Sequence, residues 1–374
     1  MKAEQRHRIM AEVDASLRIV EIDPQTDRRW EALLTKLPDS LIYHHPVWLQ
    51  VLEEGCGFQP VHLACEDAHG QVRGILPLFY GRGFFTGRRY LSLPRTPVGG
   101  PLAQDKQALA LLVRAAAERA RNEKNTLFQV KMMSNALDGL LEGFVGVPWR
   151  ETYVLKLPDS PDRLRIGNPR NHARIKWAVN KAAKLGVEVH PAQTETELRD
   201  WYRLYLETMR SIAVPPRPYQ FFEVAWKRLH PLGFLRLLLA RQSVAGRSRL
   251  LAGSLFLMFG KTVFYAFSGW RREEMSLRPN DGIQWRAIQD ACAQGFRYYD
   301  LGEVTKNNRG LAQFKSSWGG EPQWLYRYYY PSPRELETDI LVSESRAHEI
   351  ARAAWRRLPL PLTRLLGQLA HYYF

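Results

Sequence analysis

The stretch that most constrains this chain is Lys261–Gly320, KTVFYAFSGWRREEMSLRPNDGIQWRAIQDACAQGFRYYDLGEVTKNNRGLAQFKSSWGG. An aromatic run from Val263 to Gly269 predicts a strand, and a polar loop ending in Pro279-Asn280-Asp281 follows. Helical spacing then runs from Gly282 to Gln294, a second aromatic strand from Phe296 to Leu301, and a loop leads to Phe314-Lys315. In such a strand-loop-helix-strand unit the helix N-terminus turns its unpaired N–H groups and positive dipole end toward the loop side, where a ligand's carbonyl or phosphates could sit. The second strand carries Asp300 and Glu303 to the same sheet edge, and the next loop brings Lys315 back over it. The expected product is a cleft with donors, carboxylates and one cation.

The same order of elements occurs twice. Before the middle of the chain, strands are expected at Leu17–Ile22, 61–66, 71–80 and 89–93, helices at 27–36 and along HPVWLQVL, then a helix over 105–122 and a strand over 126–132. After it, a strand over 153–157 is followed by a basic helix (169–185), a strand (187–190), helices over 195–211 and 221–229, and a hairpin of 234–241 with 250–259. The expected organisation is a lead-in over 1–17, one module over 18–150, a second over 151–331 that carries the chemistry, and a helical tail over 332–374. His44 and His45, adjacent at a helix start, point in different directions and read as caps or packing rather than ligands. The Gly99-Gly100 pair suits close backbone approach to a ligand or an ordinary turn.

With 374 residues the chain is long enough for two cores. The excess of 53 Lys+Arg over 38 Asp+Glu, a formal charge of +15, attracts polyanions: RNA, CoA phosphates, lipid-linked phosphates or anionic membrane. Three cysteines, Cys56, Cys65 and Cys292, have no C-x-x-C spacing and support neither a disulfide framework nor a zinc site. No run approaches the roughly eighteen apolar residues of a spanning helix, and the expected location is cytoplasmic. The tail, with Arg352, Arg356 and Arg357 beside Trp355 and with Leu362, Leu365, Leu366 and Leu369, reads either as an interfacial helix on anionic lipid or as a helix docked on the body.

The segments YAFSG, RPNDGIQWRAIQDACAQGFRYYDLGE and GLAQFKSSWGG resemble the Fem-type transferases and their acetyltransferase-like relatives of envelope and polysaccharide biosynthesis. NPRNHARIKWAVNKAAKLGVEV and HPVWLQVL are similar to the same family. The match in organisation covers about residues 40–330, and its strong motif is confined to 265–320. The resemblance implies an α/β (α+β) fold of two tandem GNAT-like modules, each a mixed, mainly antiparallel sheet flanked by helices. It implies transfer of an acyl or aminoacyl group to an amine or hydroxyl of an envelope glycan or lipid-linked precursor. The donor would be acyl-CoA or aminoacyl-tRNA, with no tightly bound cofactor and no metal.

The family's F-K-x-x-(F/W)-G motif falls on Phe314, Lys315, Trp318 and Gly319. Lys315 would neutralise the oxyanion of the tetrahedral intermediate or a donor phosphate. Phe314 and Trp318 would wall the pocket, and Asp300 or Glu303 would orient or deprotonate the attacking group. Tyr265, Ser268, Asn280 and Gln284 are further candidates for substrate contact, and Arg170, Arg174, Lys176 and Arg278 for phosphate or RNA. Bland readings stand beside these: Asp300 as a turn cap, Glu303 paired with Lys306 or Arg309, Trp318 as core, and the basic helix as a solvated face. Ser276–Gly282 holds a single glycine where a pyrophosphate nest would need more, which counts against acetyl-CoA. No Ser-His-Asp or Cys-His pattern points to a covalent enzyme intermediate. The alternative from another class is a basic scaffold of a polysaccharide system that has lost turnover.

Overall fold

The structure, a computed structural model, describes residues 17–83, 87–244, 246–332 and 346–373. The lead-in expected over 1–17, apart from its last residue, and the acidic stretch over 333–345 lie outside the described residues. The chain divides into two compact units, Met1–Pro148 with Leu325–Pro333, and Trp149–Trp324 with Arg334–Phe374.

In the first unit the elements run β1 (Arg18–Glu21), α1 (Arg28–Lys36), α2 (Pro46–Cys56), β2 (Gln59–Pro60), β3 (Leu63–Glu66), β4 (Val72–Leu76), β5 (Phe79–Gly83), β6 (Gly87–Leu91), β7 (Leu102–Ala103), α3 (Lys106–Asn122) and β8 (Thr126–Met132). One sheet has the order β1-β3-β4-β7. In the other, β2 pairs with β5, β5 with β6, and β6 runs parallel to β8. The small-residue face of α3, Ala108, Ala116, Ala117 and Ala120 with Leu112 and Val113, lets the helix lie close on Leu63, Leu76, Phe128 and Val130. Both histidines serve the backbone. The Nδ1 of His45 accepts from the Val47 N–H at the start of α2, and buried His44 accepts from the Leu41 N–H while its other ring nitrogen contacts the Gly100 carbonyl. Gly99 and Gly100 are packed rather than open. A Cβ on Gly99, whose φ is +144°, would come 1.9 Å from Leu93, and one on Gly100 2.0 Å from the Met132 sulfur.

The second unit runs β9 (Val147–Lys156), α4 (Pro169–Lys184), β10 (Val187–Pro191), α5 (Glu195–Ser211), α6 (Tyr219–Leu229), β11 (Leu235–Val244), β12 (Arg247–Phe259), β13 (Thr262–Trp270), α7 (Pro279–Ala293), β14 (Tyr298–Val304), α8 (Arg309–Ser317) and β15 (Glu321–Tyr330), then α9 (Arg346–Arg356) and α10 (Leu360–Tyr373). The far end of β15, Tyr326–Tyr330, itself belongs to the first unit, where it pairs with β8. The sheet order is β10-β11-β12-β13-β14-β9, antiparallel except for the β13–β14 pair. One face is covered by α4 and α7, whose Ile175, Ile283, Ala287 and Ile288 meet Leu238, Phe256 and Val263. The other carries α5 and α6, where Trp201, Tyr205 and Phe222 cluster with Phe267.

Gly253 and Gly269 make that second packing possible. A Cβ on Gly253 would meet Trp201 at 2.6 Å, and one on Gly269 the Tyr205 backbone nitrogen at 2.5 Å. In the first unit the strand expected over 71–80 is two, β4 and β5, and β2 and β7 are additional; four further differences bear on the second half of the chain. Pro279, Asn280 and Asp281 form the first turn of α7 instead of a loop, because proline is favourable at a helix's first position. Phe314-Lys315 lies on a helix, α8, capped by the Asn308 side chain accepting from the Leu311 N–H, where a loop was expected. The strand expected at Tyr153 starts at Val147, and β15 was not expected at all.

Candidate active site

The parallel ladder between β13 and β14 is short. It holds from Thr262 opposite Tyr298 to Phe264 opposite Asp300 and then stops, although β13 continues to Trp270 and β14 to Val304. Both strands are irregular just beyond that point. The β12–β13 register slips so that Phe256 faces Tyr265 while Leu255 faces Phe267, leaving Ala266 as an extra residue. The β14–β9 register slips between Asp300 and Glu303. A bulge adds twist and ends pairing, so two bulges side by side open the sheet where the ladder stops.

The bulge in β14 is built from three of the expected site residues. Asp300 is buried, and its Oδ1 accepts from the Thr152 hydroxyl at 2.5 Å and from the Gly302 N–H at 2.7 Å, taking that N–H away from the ladder. Lys315, 4% exposed, reaches back from α8 and donates to the Gly302 carbonyl at 2.8 Å and the Glu303 carbonyl at 3.1 Å. Gly302 has φ +85°, a left-handed conformation that glycine adopts without strain. Burial lowers the pKa of Lys315 to about 8, against the pull of the Asp300 and Glu303 carboxylates. Burial also raises the pKa of Asp300, opposed by the Thr152 and Gly302 hydrogen bonds and by Lys315. Glu303 pairs through Oε1 with Arg150, and its Oε2 is buried with no hydrogen-bond partner. Asp300 is therefore held by Thr152 and by the Gly302 N–H, whereas Glu303 has one oxygen that makes no hydrogen bond.

On β13, the slip turns Tyr265 toward Phe256, with ring centroids 5.7 Å apart. Its hydroxyl shares hydrogen bonds with Ser268, Ser254 and Gln284, and burial raises its pKa against them. Gln284 of α7 in turn accepts from the Tyr299 hydroxyl at 2.6 Å. Three of the expected substrate contacts, Tyr265, Ser268 and Gln284, thus form one polar network beside the opening. Asn280 lies apart, in the first turn of α7. Its amide nitrogen contacts the Met275 sulfur, and its buried Oδ1 has no hydrogen-bond partner. That first turn also holds Asp281, whose pKa burial raises against Arg278 and Arg174. The helix start expected to receive phosphates thus carries its own carboxyl group.

The remaining expected residues fall into a cleft and a basic surface. An open cleft of about 740 Å³ is lined by Asn168, Arg170, Asn171 and Arg174 at the start of α4 and by Gly310, Gln313, Phe314, Ser316 and Ser317 of α8. Neighbouring residues of α8 therefore take different directions: Phe314 lines the cleft and Lys315 grips β14. Trp318, expected as a pocket wall, is 1% exposed and belongs to the core, 6.3 Å from the Phe314 ring. Lys176 lies over Trp285 at 4.8 Å. Trp177, 55% exposed, carries Lys181 at 5.4 Å and Arg278 at 5.7 Å on its ring. Sequence reasoning missed Thr152 and Arg150, because the strand that bears them was started too late. It also left Trp177 and Trp285 unassigned, although tryptophan interleaved with Lys and Arg was the available signal.

Residues 169–316 match the acetyltransferase (GNAT) domain family, the span from the start of α4 to α8. The chain is 21% identical over 305 residues to the UDP-N-acetylmuramoylpentapeptide-lysine N(6)-alanyltransferase of Weissella viridescens, covering 75% of this chain and 85% of that protein. The crystal structure of FemX aligns with a TM-score of 0.63 at 17% identity, covering 84% of this chain and 97% of that one. A tandem GNAT protein from the clavulanic acid biosynthesis pathway aligns at 0.51 and 11% identity, covering 84% and 98%. The fold is two tandem GNAT-like modules, and the class is an acyl or aminoacyl transferase, similar to the alanyltransferase and to FemX. Among the described residues no helix is long and apolar enough to cross a membrane.

Proposed function

We propose that this protein transfers an acyl or aminoacyl group to an amine of a muramoyl-peptide or related cell-envelope precursor. The observation that carries the reading is the opening between β13 and β14, with a free carboxylate oxygen (Glu303) and a buried ammonium (Lys315) on the same bulge. An extended donor chain entering the opening would find unused strand backbone to pair with. The acceptor nitrogen attacks the donor carbonyl carbon and a C–N bond forms. The carbonyl π electrons move to oxygen and return as the C–O or C–S bond to the carrier breaks. Glu303 Oε2 takes the proton from the attacking nitrogen, and the departing oxygen or sulfur is protonated in turn. The charge of buried Lys315 offsets the negative charge that develops on the carbonyl oxygen. Asp300 is a positioning residue that keeps the bulge in shape.

Between the two donor classes, the carboxyl group in the first turn of α7 works against a pyrophosphate there, which favours aminoacyl-tRNA over acyl-CoA. An exposed Trp177 bracketed by Lys181 and Arg278, with Arg170 and Arg174 on the same helix as Trp177, suits a base and its phosphates. The test is incubation with UDP-N-acetylmuramoyl pentapeptide and either aminoacyl-tRNA or acyl-CoA, followed by mass spectrometry. A mass gain of one aminoacyl group with aminoacyl-tRNA is expected. No gain with either donor on muramoyl-peptide acceptors would overturn the proposal.

A further inference from the structure

The C-terminal helices are held to the second unit by one face, which leaves another uncovered. On α10, Thr363 is fully buried and Gly367 meets Pro216 so closely that a Cβ would lie 2.6 Å from its ring. The Leu358 carbonyl just before the helix accepts from Arg210 of α5 at 3.3 Å. Small residues thus form the docking face. The leucines occupy a different stripe: Leu362, Leu365, Leu366 and Leu369, spaced i, i+3, i+4 and i+7, are 38–50% exposed. On α9, Ile350 is 70% exposed. Between residues 349 and 370 four arginines, Arg352, Arg356, Arg357 and Arg364, accompany a single acid, Glu349, and all five are exposed.

We propose that α9 and α10 dock this protein on an anionic lipid surface, with the leucine stripe entering the headgroup boundary and the arginines pairing with lipid phosphates. Leucines arranged on one stripe of a cation-rich helix match what an interfacial helix needs. The charge also argues against a second copy of the chain as occupant. A symmetric contact would bring the same arginines face to face, on a protein whose formal charge is already +15. The inference does not depend on the transferase reading, since lipid binding is measured without turnover.

The test is co-sedimentation of the full chain with phosphatidylglycerol-containing vesicles and with pure phosphatidylcholine vesicles, for the wild type and for the Leu365→Gln/Leu369→Gln double variant. The wild type is expected to bind the anionic vesicles and to lose binding as salt rises. The double variant is expected to bind at least about tenfold more weakly while melting at the wild-type temperature, because its substitutions are on the surface. Equal binding of the two vesicle types, unchanged binding by the variant, or no binding would each overturn the proposal. So would a dimer in sedimentation velocity that the variant abolishes, since the occupant would then be a second copy.

Discussion

Replacing Lys315 by methionine separates what the side chain does for the fold from what it does for the reaction. In the fold, the ammonium makes two hydrogen bonds to backbone carbonyls, each worth roughly 1.5–3 kcal/mol as charge-assisted bonds. Against that, keeping the group charged where its pKa falls from 10.5 to about 8 costs the folded state roughly 3 kcal/mol at neutral pH. The two effects largely cancel, so Lys315→Met loses about 1–2 kcal/mol of stability and stays folded. The reaction has no such compensation. Loss of a charge that acts on the transition state lowers kcat by about a hundred- to a thousandfold.

The pH dependence gives a second, independent readout. Because the folded-state pKa is depressed, the protonated form destabilises the fold. Stability therefore rises as pH climbs from about 8 toward 10.5, whereas transfer falls over the same interval as the ammonium is lost. Lys315→Arg keeps its charge throughout that range, so whatever activity it retains should have no falling limb near pH 8. The assay is steady-state transfer against pH, with thermal melts of the same samples. A folded methionine variant with wild-type kcat, or an arginine variant that keeps the limb, would refute the reasoning.

Reversing the charges of Arg170 and Arg174 together should raise the donor KM about tenfold or more with little change in kcat, and flatten the salt dependence of donor binding; a change confined to kcat would remove these residues from donor contact. Gly269→Ala drives a methyl group into the backbone of α5, 2.5 Å from the Tyr205 nitrogen, and should cost about 3 kcal/mol or more in denaturant unfolding. An unchanged midpoint would show that α5 is not held against β13 as described.

Much of the second unit was legible because its signals are local. Helix α5, expected over 195–211, begins and ends where its periodicity places it, and in the structure the Thr194 hydroxyl accepts from the Glu197 N–H at its start. The residues around Asp300, Glu303 and Lys315 were legible as a group, because a strand end and the following motif put them near one another. Their division of labour was not. Nothing in the order of residues says that Asp300 would turn its carboxylate to the Gly302 N–H two positions on, or that Thr152, 148 residues away, would be its other partner. The slips at Ala266 and Gly302 were equally hidden, since a single extra residue leaves the aromatic pattern of a strand intact. Trp318 was left open between pocket wall and core for a related reason: a tryptophan beside a motif lysine reads the same whether it faces a ligand or the core, where the structure puts it.

The central claim is that the bulge of β14 is where the acyl group changes carriers, with Glu303 as the acceptor of the proton. It is tested most directly by single-turnover transfer with saturating donor and acceptor, comparing the wild type with Glu303→Gln, which keeps the size of the side chain and a partner for Arg150. A fall in the transfer rate of about a hundred- to ten-thousandfold, with binding of both substrates unchanged, is the predicted result. A Glu303→Gln variant that transfers at the wild-type rate would contradict the account.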